Sequence, residues 1–358
     1  THVGLYCGLL LLILGNGFFK PNISTLVGGL YKDGDPKRDS AFSIFYMGIN
    51  LGAFLAPLII GVLADNIFAV RNDAGEIVTH GYRYGFLAAA VGMFLGQVLF
   101  NTLSSRFLGT LGVKPAGGKD AVAAAAINGA TSNKLSTVEK QRISVIFIFF
   151  LFAIFFWAGF EQAGSSLTLY AENYINRTIN LPIIGEFIIP TAWFQSVNPL
   201  FIVLLAPLFG LFWTSKLGQK IPTPIKMGSG MVVLGIGFFF MLGAVAERGG
   251  DISDVNIKAS LWWLVLTYLI HTMGELCLSP VGLSVVTKLS PPRLASVLMA
   301  VWMLSSFFAN ILGGFLASYV EALGAGKIFL YISVFVIICG LLLISLNKVV
   351  SRMMHGVK

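Results

Sequence analysis

The sequence is short of charge: 11% of its 358 residues are Asp, Glu, Lys or Arg, against 56% that are hydrophobic. A soluble domain of this length needs a charged shell, so the shortage excludes one and places the chain among multi-span membrane proteins. Cysteine is scarce as well. Cys7, Cys277 and Cys339 stand far apart inside apolar runs with no CxxC spacing, which excludes a disulfide framework and a thiolate metal site. Acidic residues number 16 against 24 basic ones, but the basic residues are scattered between apolar runs and form no patch, so no nucleic-acid partner is expected. There is no HExxH, no aspartate pair at ligand spacing, and one lone histidine, His271, deep in an apolar run. An intramembrane enzyme needs a nucleophile with its base, or metal ligands; with neither in view, the chain is expected to be no enzyme and to need no cofactor. No cleavable leader precedes the first apolar run and residue 1 is Thr, so the chain reads as a cut made inside a longer protein.

What the sequence does have is nine apolar runs near or above the ~20 residues that cross a bilayer. They cover roughly 4–30, 40–63, 84–104, 143–170, 193–214, 224–245, 260–286, 294–320 and 327–347. The fold class expected is therefore all-α integral membrane. With the 31–39 loop placed in the cytoplasm, the inside segments hold most of the Lys and Arg, which sets the N-terminus outside and the C-terminus inside a cell (inner or plasma) membrane. Residues 105–142 form the one long polar-to-small stretch, with Lys114-Pro-Ala-Gly-Gly-Lys119 and an alanine run. We read 1–104 as a partial N-terminal bundle of three helices, 105–142 as a cytoplasmic linker with Thr137 opening the next helix behind a Ser/Thr cap, and 143–358 as a six-helix C-terminal bundle. Asn50-Leu-Gly-Ala-Phe-Leu-Ala in the second run resembles Asn310-Ile-Leu-Gly-Gly-Phe-Leu-Ala in the eighth, and the Gly15-to-Pro21 spacing recurs as Gly274 to Pro280. This is the signature of a parallel repeat in a two-half transporter, of which the first half here is three helices short.

Charged side chains deep inside the runs are Lys20, Glu161 and Glu275, with His271 one turn before Glu275. A charge at the bilayer centre costs at least ~2.5 kcal/mol on insertion scales, so each must face a polar interior or a partner. At ~1.5 Å per residue, Lys20 and Glu275 lie at similar depth, which makes a Lys20–Glu275 pair the economical arrangement; a pair that only staples two helices is the other reading. Glu161 lies nearer the outside. Asp65, ending its run, reads as solvated or capping, and His271 as a hydrogen-bonded packing residue. Gly15 and Gly17 read as points of close helix approach. Trp157 is one turn before Glu161; Asn198 precedes a ladder-breaking Pro199; Tyr46 and Asn50, and Trp302 and Ser306, are each one turn apart. Both charges, amides and aromatic walls suit a zwitterionic ligand whose ammonium meets Glu275 and whose carboxylate meets Lys20.

Four motifs then carry a resemblance: Gly15-Asn-Gly-Phe-Phe-Lys20-Pro21, Phe45-Tyr46-Met-Gly-Ile-Asn50-Leu-Gly, Phe156-Trp157-Ala-Gly-Phe-Glu161-Gln162 and Gly274-Glu275-Leu-Cys-Leu-Ser279-Pro280-Val-Gly282. In this order they resemble the proton-coupled oligopeptide transporter family of the major facilitator superfamily. The resemblance implies nine of a fold's twelve transmembrane helices, and symport of di- and tripeptides with protons by alternating access. It implies that Lys20 and Glu275 hold the peptide ends and act as gates, that Glu161 is a protonatable gate residue, and that Tyr46, Asn50, Trp157, Asn198, Trp302 and Ser306 line the pocket. The partners implied are a small peptide, protons and the lipid bilayer, with the chain a monomer. A carrier of another small solute, such as an amino acid, nitrate or a peptide-like compound, stands as the alternative. The family's Glu-x-x-Glu-Arg motif is not in this sequence, and the linker is shorter than the helical pair many bacterial members insert there.

Overall fold

The computed structural model describes residues 2–30, 37–75, 77–109, 135–182, 185–252, 254–291 and 294–357. Side chains at 2, 20–22, 24, 25, 28, 29, 37–43, 181, 295, 296 and 321 lie outside the description, as does most of the expected 105–142 linker. Nine long helices occupy the described residues: α1 His2–Gly29, α2 Lys37–Gly61, α3 Tyr82–Phe107, α4 Thr137–Phe160, then after the short α5 Ser166–Tyr174, α6 Val197–Thr214, α7 Thr223–Glu247, α8 Leu261–Leu289, α9 Ala295–Ser318 and α10 Ala325–Ser345. A seven-residue α11, Asn347–Met353, closes the chain. Each long helix coincides with one of the apolar runs, because in a bilayer every backbone N–H and C=O must be satisfied within its own segment.

The chain divides into two compact units, residues 1–52 with 86–131, and residues 53–85 with 132–358. In the first, α1 and α3 line a cleft of about 390 Å³ through Phe18, Phe19, Met93 and Phe100, while most of their apolar side chains stay exposed. Gly15 and Gly17, expected at a close helix approach, have nothing within 4 Å of an added Cβ among the described residues, and Gly92 and Gly96 on α3 are equally open.

The second unit holds the core. Its centre is α7, whose glycines fall on two faces at a seven-residue repeat. Gly228 and Gly235 face α10: a Cβ on them would lie 2.7 Å from the Gly340 carbonyl and 2.8 Å from that of Ser333. Gly230 and Gly237 face α8, with 2.7 Å to the Gly274 carbonyl and 2.3 Å to the His271 ring. Small residues let the backbones approach this closely, and side-chain hydroxyls then bond across: Ser333 Oγ donates to Gly235 O at 2.7 Å and Thr267 Oγ1 to Gly237 O at 3.3 Å. His271 is buried against Gly237 and Phe238. It packs, as expected, but neither ring nitrogen meets hydrogen-bond geometry among the described residues.

One local feature matches the linear reading and two depart from it. The start of α4 is a full capping box: Glu139 N donates to Ser136 Oγ (3.2 Å) and Ser136 N to Glu139 Oε2 (2.8 Å). Past its Pro57, α2 widens into a π-helical turn over Val62–Ile67, and there Asp65 is buried and paired with His80 Nδ1 at 2.7 Å rather than solvated. The strands β1 Val70–Arg71 and β2 Ile77–Thr79 fold back on that turn, with Arg71 Nη2 donating to Asp65 O at 2.8 Å. Finally, the run expected to be continuous over 143–170 breaks into α4, a 3-10 turn Glu161–Gly164, and α5. A second hairpin, β3 Thr178–Leu181 with β4 Gly185–Ile188, leads to a 3-10 turn Thr191–Ser196 ahead of α6. That turn is fastened to the end of α2: Trp193 Nε1 donates to Leu58 O at 3.0 Å and Ser196 Oγ to Phe54 O at 2.7 Å.

Candidate functional site

Glu275 sits at the midpoint of α8, buried, with 8% of its surface exposed. A carboxylate there loses its water and must be repaid by donors or by a cation. The donor is Asn198, in the first turn of α6, whose Nδ2 reaches Glu275 Oε2 and Thr272 Oγ1, each at 2.9 Å. Thr272 can accept because its own hydroxyl proton goes to Tyr268 O at 2.7 Å. Both amide protons of Asn198 are thus committed. Pro199 follows at the junction where the 3-10 turn becomes α6, a place where its missing N–H disturbs little; it shapes the entry to the helix rather than breaking its interior.

Nearby on the same unit, Trp302 of α9 is buried and lies over Gly282 of α8, where a Cβ would come within 2.4 Å of the indole ring. Ser306, one turn on, is exposed, and its carbonyl accepts from Asn310 Nδ2 at 2.8 Å. Trp157 is partly buried near the end of α4, edge-on to Phe156 and Phe160 at 5.4 and 5.2 Å between ring centres. Glu161 opens the 3-10 turn that follows, partly buried, its backbone N–H returning to Trp157 O and Gly159 O.

In the other unit, Asn50 is buried and gives its Nδ2 to Tyr46 O at 2.9 Å, while Tyr46 is about half exposed. Asn50 and Asn310, paired by the sequence repeat, therefore make the same bond to the carbonyl four residues back. The Lys20 side chain lies outside the described residues, and the expected Lys20–Glu275 pair with it.

Among the described residues, the sequence-predicted residues that the structure brings together from different helices are Asn198 and Glu275, while Asn50 with Tyr46, and Glu161 with Trp157, meet one turn apart. Sequence reasoning missed Thr272, whose signal was a hydroxyl one turn before an intramembrane acid, and Gln162, an amide directly after another. Among the described residues no group of three or more His, Cys, Asp or Glu side chains could hold a metal ion. The arrangement is a desolvated carboxylate in a polar amide and hydroxyl setting, suited to exchanging a proton or to meeting an ammonium group.

The family model described as POT family matches residues 2–112 and 118–331 of the chain. An uncharacterised transporter, YclF, of Bacillus subtilis (strain 168) is 35% identical over all of this chain and 76% of its own length. The di-/tripeptide transporter of Lactococcus lactis subsp. cremoris is 31% identical, covering 99% of this chain and 77% of the relative. A variant of a peptide transporter POT, solved in complex with alafosfalin, superposes with a TM-score of 0.80 at 33% identity, over 99% of this chain and 76% of that one.

Proposed function

We propose that this chain, which belongs to the POT family, is a secondary active transporter that carries di- and tripeptides together with protons by alternating access. Its all-α, multi-span architecture is that of the major facilitator superfamily type, and its relatives are transporters, not enzymes. The observation that carries the reading is the buried Glu275 carboxylate held by Asn198. A peptide ammonium is a natural counter-ion for such a group, and a proton is the alternative occupant.

In this proposal Glu275 takes the ammonium end of the peptide and Lys20 its carboxylate. Asn198, Trp157, Trp302, Ser306, Tyr46 and Asn50 shape the space for side chains. Glu161 accepts and releases the coupled proton, and Lys20 and Glu275 serve as gates as well as ligands. Residues 1–104 and 143–358 act as the moving bodies joined by the 105–142 linker, in a monomer whose C-terminus faces the cytoplasm of a cell or plasma membrane. The driving force suffices: one charge moved across ~100 mV is worth ~2.3 kcal/mol, about a fiftyfold concentration ratio.

The test is uptake of labelled dialanine into proteoliposomes under an imposed pH gradient. Glu275→Gln and Lys20→Ala are each expected to abolish concentrative uptake. Wild-type uptake by both variants would sink the site assignment. Competition by nitrate or free amino acids, with none by peptides, would replace the substrate class.

A further inference from the structure

The break between α4 and α5 is held from several sides, and one side chain does most of the holding. Gln162 is fully buried. Its Nε2 donates to Ala158 O of α4 at 3.0 Å and to Gly313 O of α9 at 3.2 Å, and its Oε1 accepts from Ser166 Oγ of α5 at 2.5 Å. Ser165 Oγ lies 3.4 Å from the same oxygen. A broken helix frees carbonyls that hydrocarbon cannot satisfy, so each must find a side-chain donor. The Ala163 carbonyl, at the other end of the turn, accordingly accepts from Thr168 Oγ1 (2.7 Å), Gln195 Nε2 (2.7 Å) and Tyr268 OH (3.3 Å). The contact with α9 fits Gly313, where a Cβ would lie 3.3 Å from Gln162 Nε2.

The residue immediately before this clamp is Glu161. We propose that Gln162 is a positioning residue for Glu161: by tying the 3-10 turn to Gly313 it fixes where the acid points and makes its setting depend on where α9 stands. A merely structural amide could have sat anywhere along the α4–α9 seam. This one sits on the peptide unit shared with the acid, so a shift of α9 relative to α4 must either break the Gln162–Gly313 bond or turn Glu161 with it. The inference rests on the reading of Glu161 as the residue that exchanges the coupled proton.

The experiment is a double-mutant cycle in proteoliposomes on the pH profile of dialanine uptake, with peptide-driven counterflow measured alongside. Gln162→Leu is expected to move the midpoint of the profile by about half a pH unit, a roughly threefold change in proton affinity, while counterflow stays within about twofold of wild type. In a Glu161→Gln background, where proton-driven uptake is expected to be lost, the pH dependence of counterflow is read instead in all four proteins, and there Gln162→Leu is expected to change nothing further. Ser166→Ala removes one hydrogen bond of the clamp and should move the midpoint the same way by less; it carries the test if Gln162→Leu does not fold. An unmoved midpoint in the variant that folds, or an equal effect of Gln162→Leu with and without Glu161, overturns the proposal. If Glu161→Gln itself leaves the profile unchanged, it is the proton-coupling role of Glu161 that fails instead.

Discussion

Helices α3 and α7 carry the same kind of sequence, apolar residues interrupted by spaced glycines, and they end in opposite circumstances. On α7, the glycines at 228, 230, 235 and 237 are all met by atoms of α8 or α10. On α3, Gly92 and Gly96 meet nothing within 4 Å among the described residues, and Phe86 and Phe94 are two-thirds exposed. In water the second helix would be untenable. In a bilayer it is not, because lipid tails are as apolar as leucine and an exposed face costs little. The comparison teaches that a glycine pattern in a membrane span marks permission for close approach, and that the approach itself is decided by which helix stands alongside.

The largest effect expected from this contrast is at Gly230. A leucine there would drive its Cβ to within 2.7 Å of the Gly274 carbonyl, a backbone atom that cannot swing aside. Overpacking of this kind costs at least about 1–3 kcal/mol, and Gly230→Leu should lose most monodisperse protein in detergent size-exclusion chromatography. A second, intermediate effect is at the α6–α8 contact. Asn198→Leu strips Glu275 of its amide donor and should cost about 1–3 kcal/mol, read as a lower melting temperature. Adding Glu275→Gln should recover part of that loss, since a neutral amide is cheaper to leave buried than a carboxylate; no recovery would mean that Asn198 supports the helix by packing alone. The smallest effect is at Gly92, where alanine meets open space and improves helix propensity. Gly92→Ala should leave the melting temperature unchanged or slightly raised, within about 1 kcal/mol. A collapse on the scale of Gly230→Leu would show that α3 is tightly packed after all, and the contrast between the two helices would be lost.

Much of this molecule could be read along the line. The apolar helices were legible because hydropathy sums residue by residue, and eight of them among the described residues are long and apolar enough to cross a membrane. The opening of α4 was legible because Ser136 and Glu139 are three apart and bond locally. Asn198 and Glu275 were named from the sequence, but as separate members of a pocket. Their hydrogen bond joins residues 77 positions apart, and no local pattern encodes it. Asp65 misled for the same reason: at a helix end it looked like a solvated cap, until the β1–β2 hairpin returned His80 to it. The broken turn at Glu161–Gly164 left only a faint trace, since the apolar run continues across it. Its support comes from Gln162, Gln195 and Tyr268, on three different segments.

By itself the sequence determined the solvent of this protein, the approximate course of its apolar helices, and which few charged side chains would have to be accommodated inside them. Those are properties of short stretches, fixed by the transfer free energy of each residue and the reach of a helical turn. Only the tertiary structure decided which glycines are filled, which amide meets Glu275, and that the helix carrying Glu161 is interrupted and fastened to α9. These depend on the distance between backbones remote in sequence, and a hydrogen bond that forms at 2.9 Å is gone a few ångströms away.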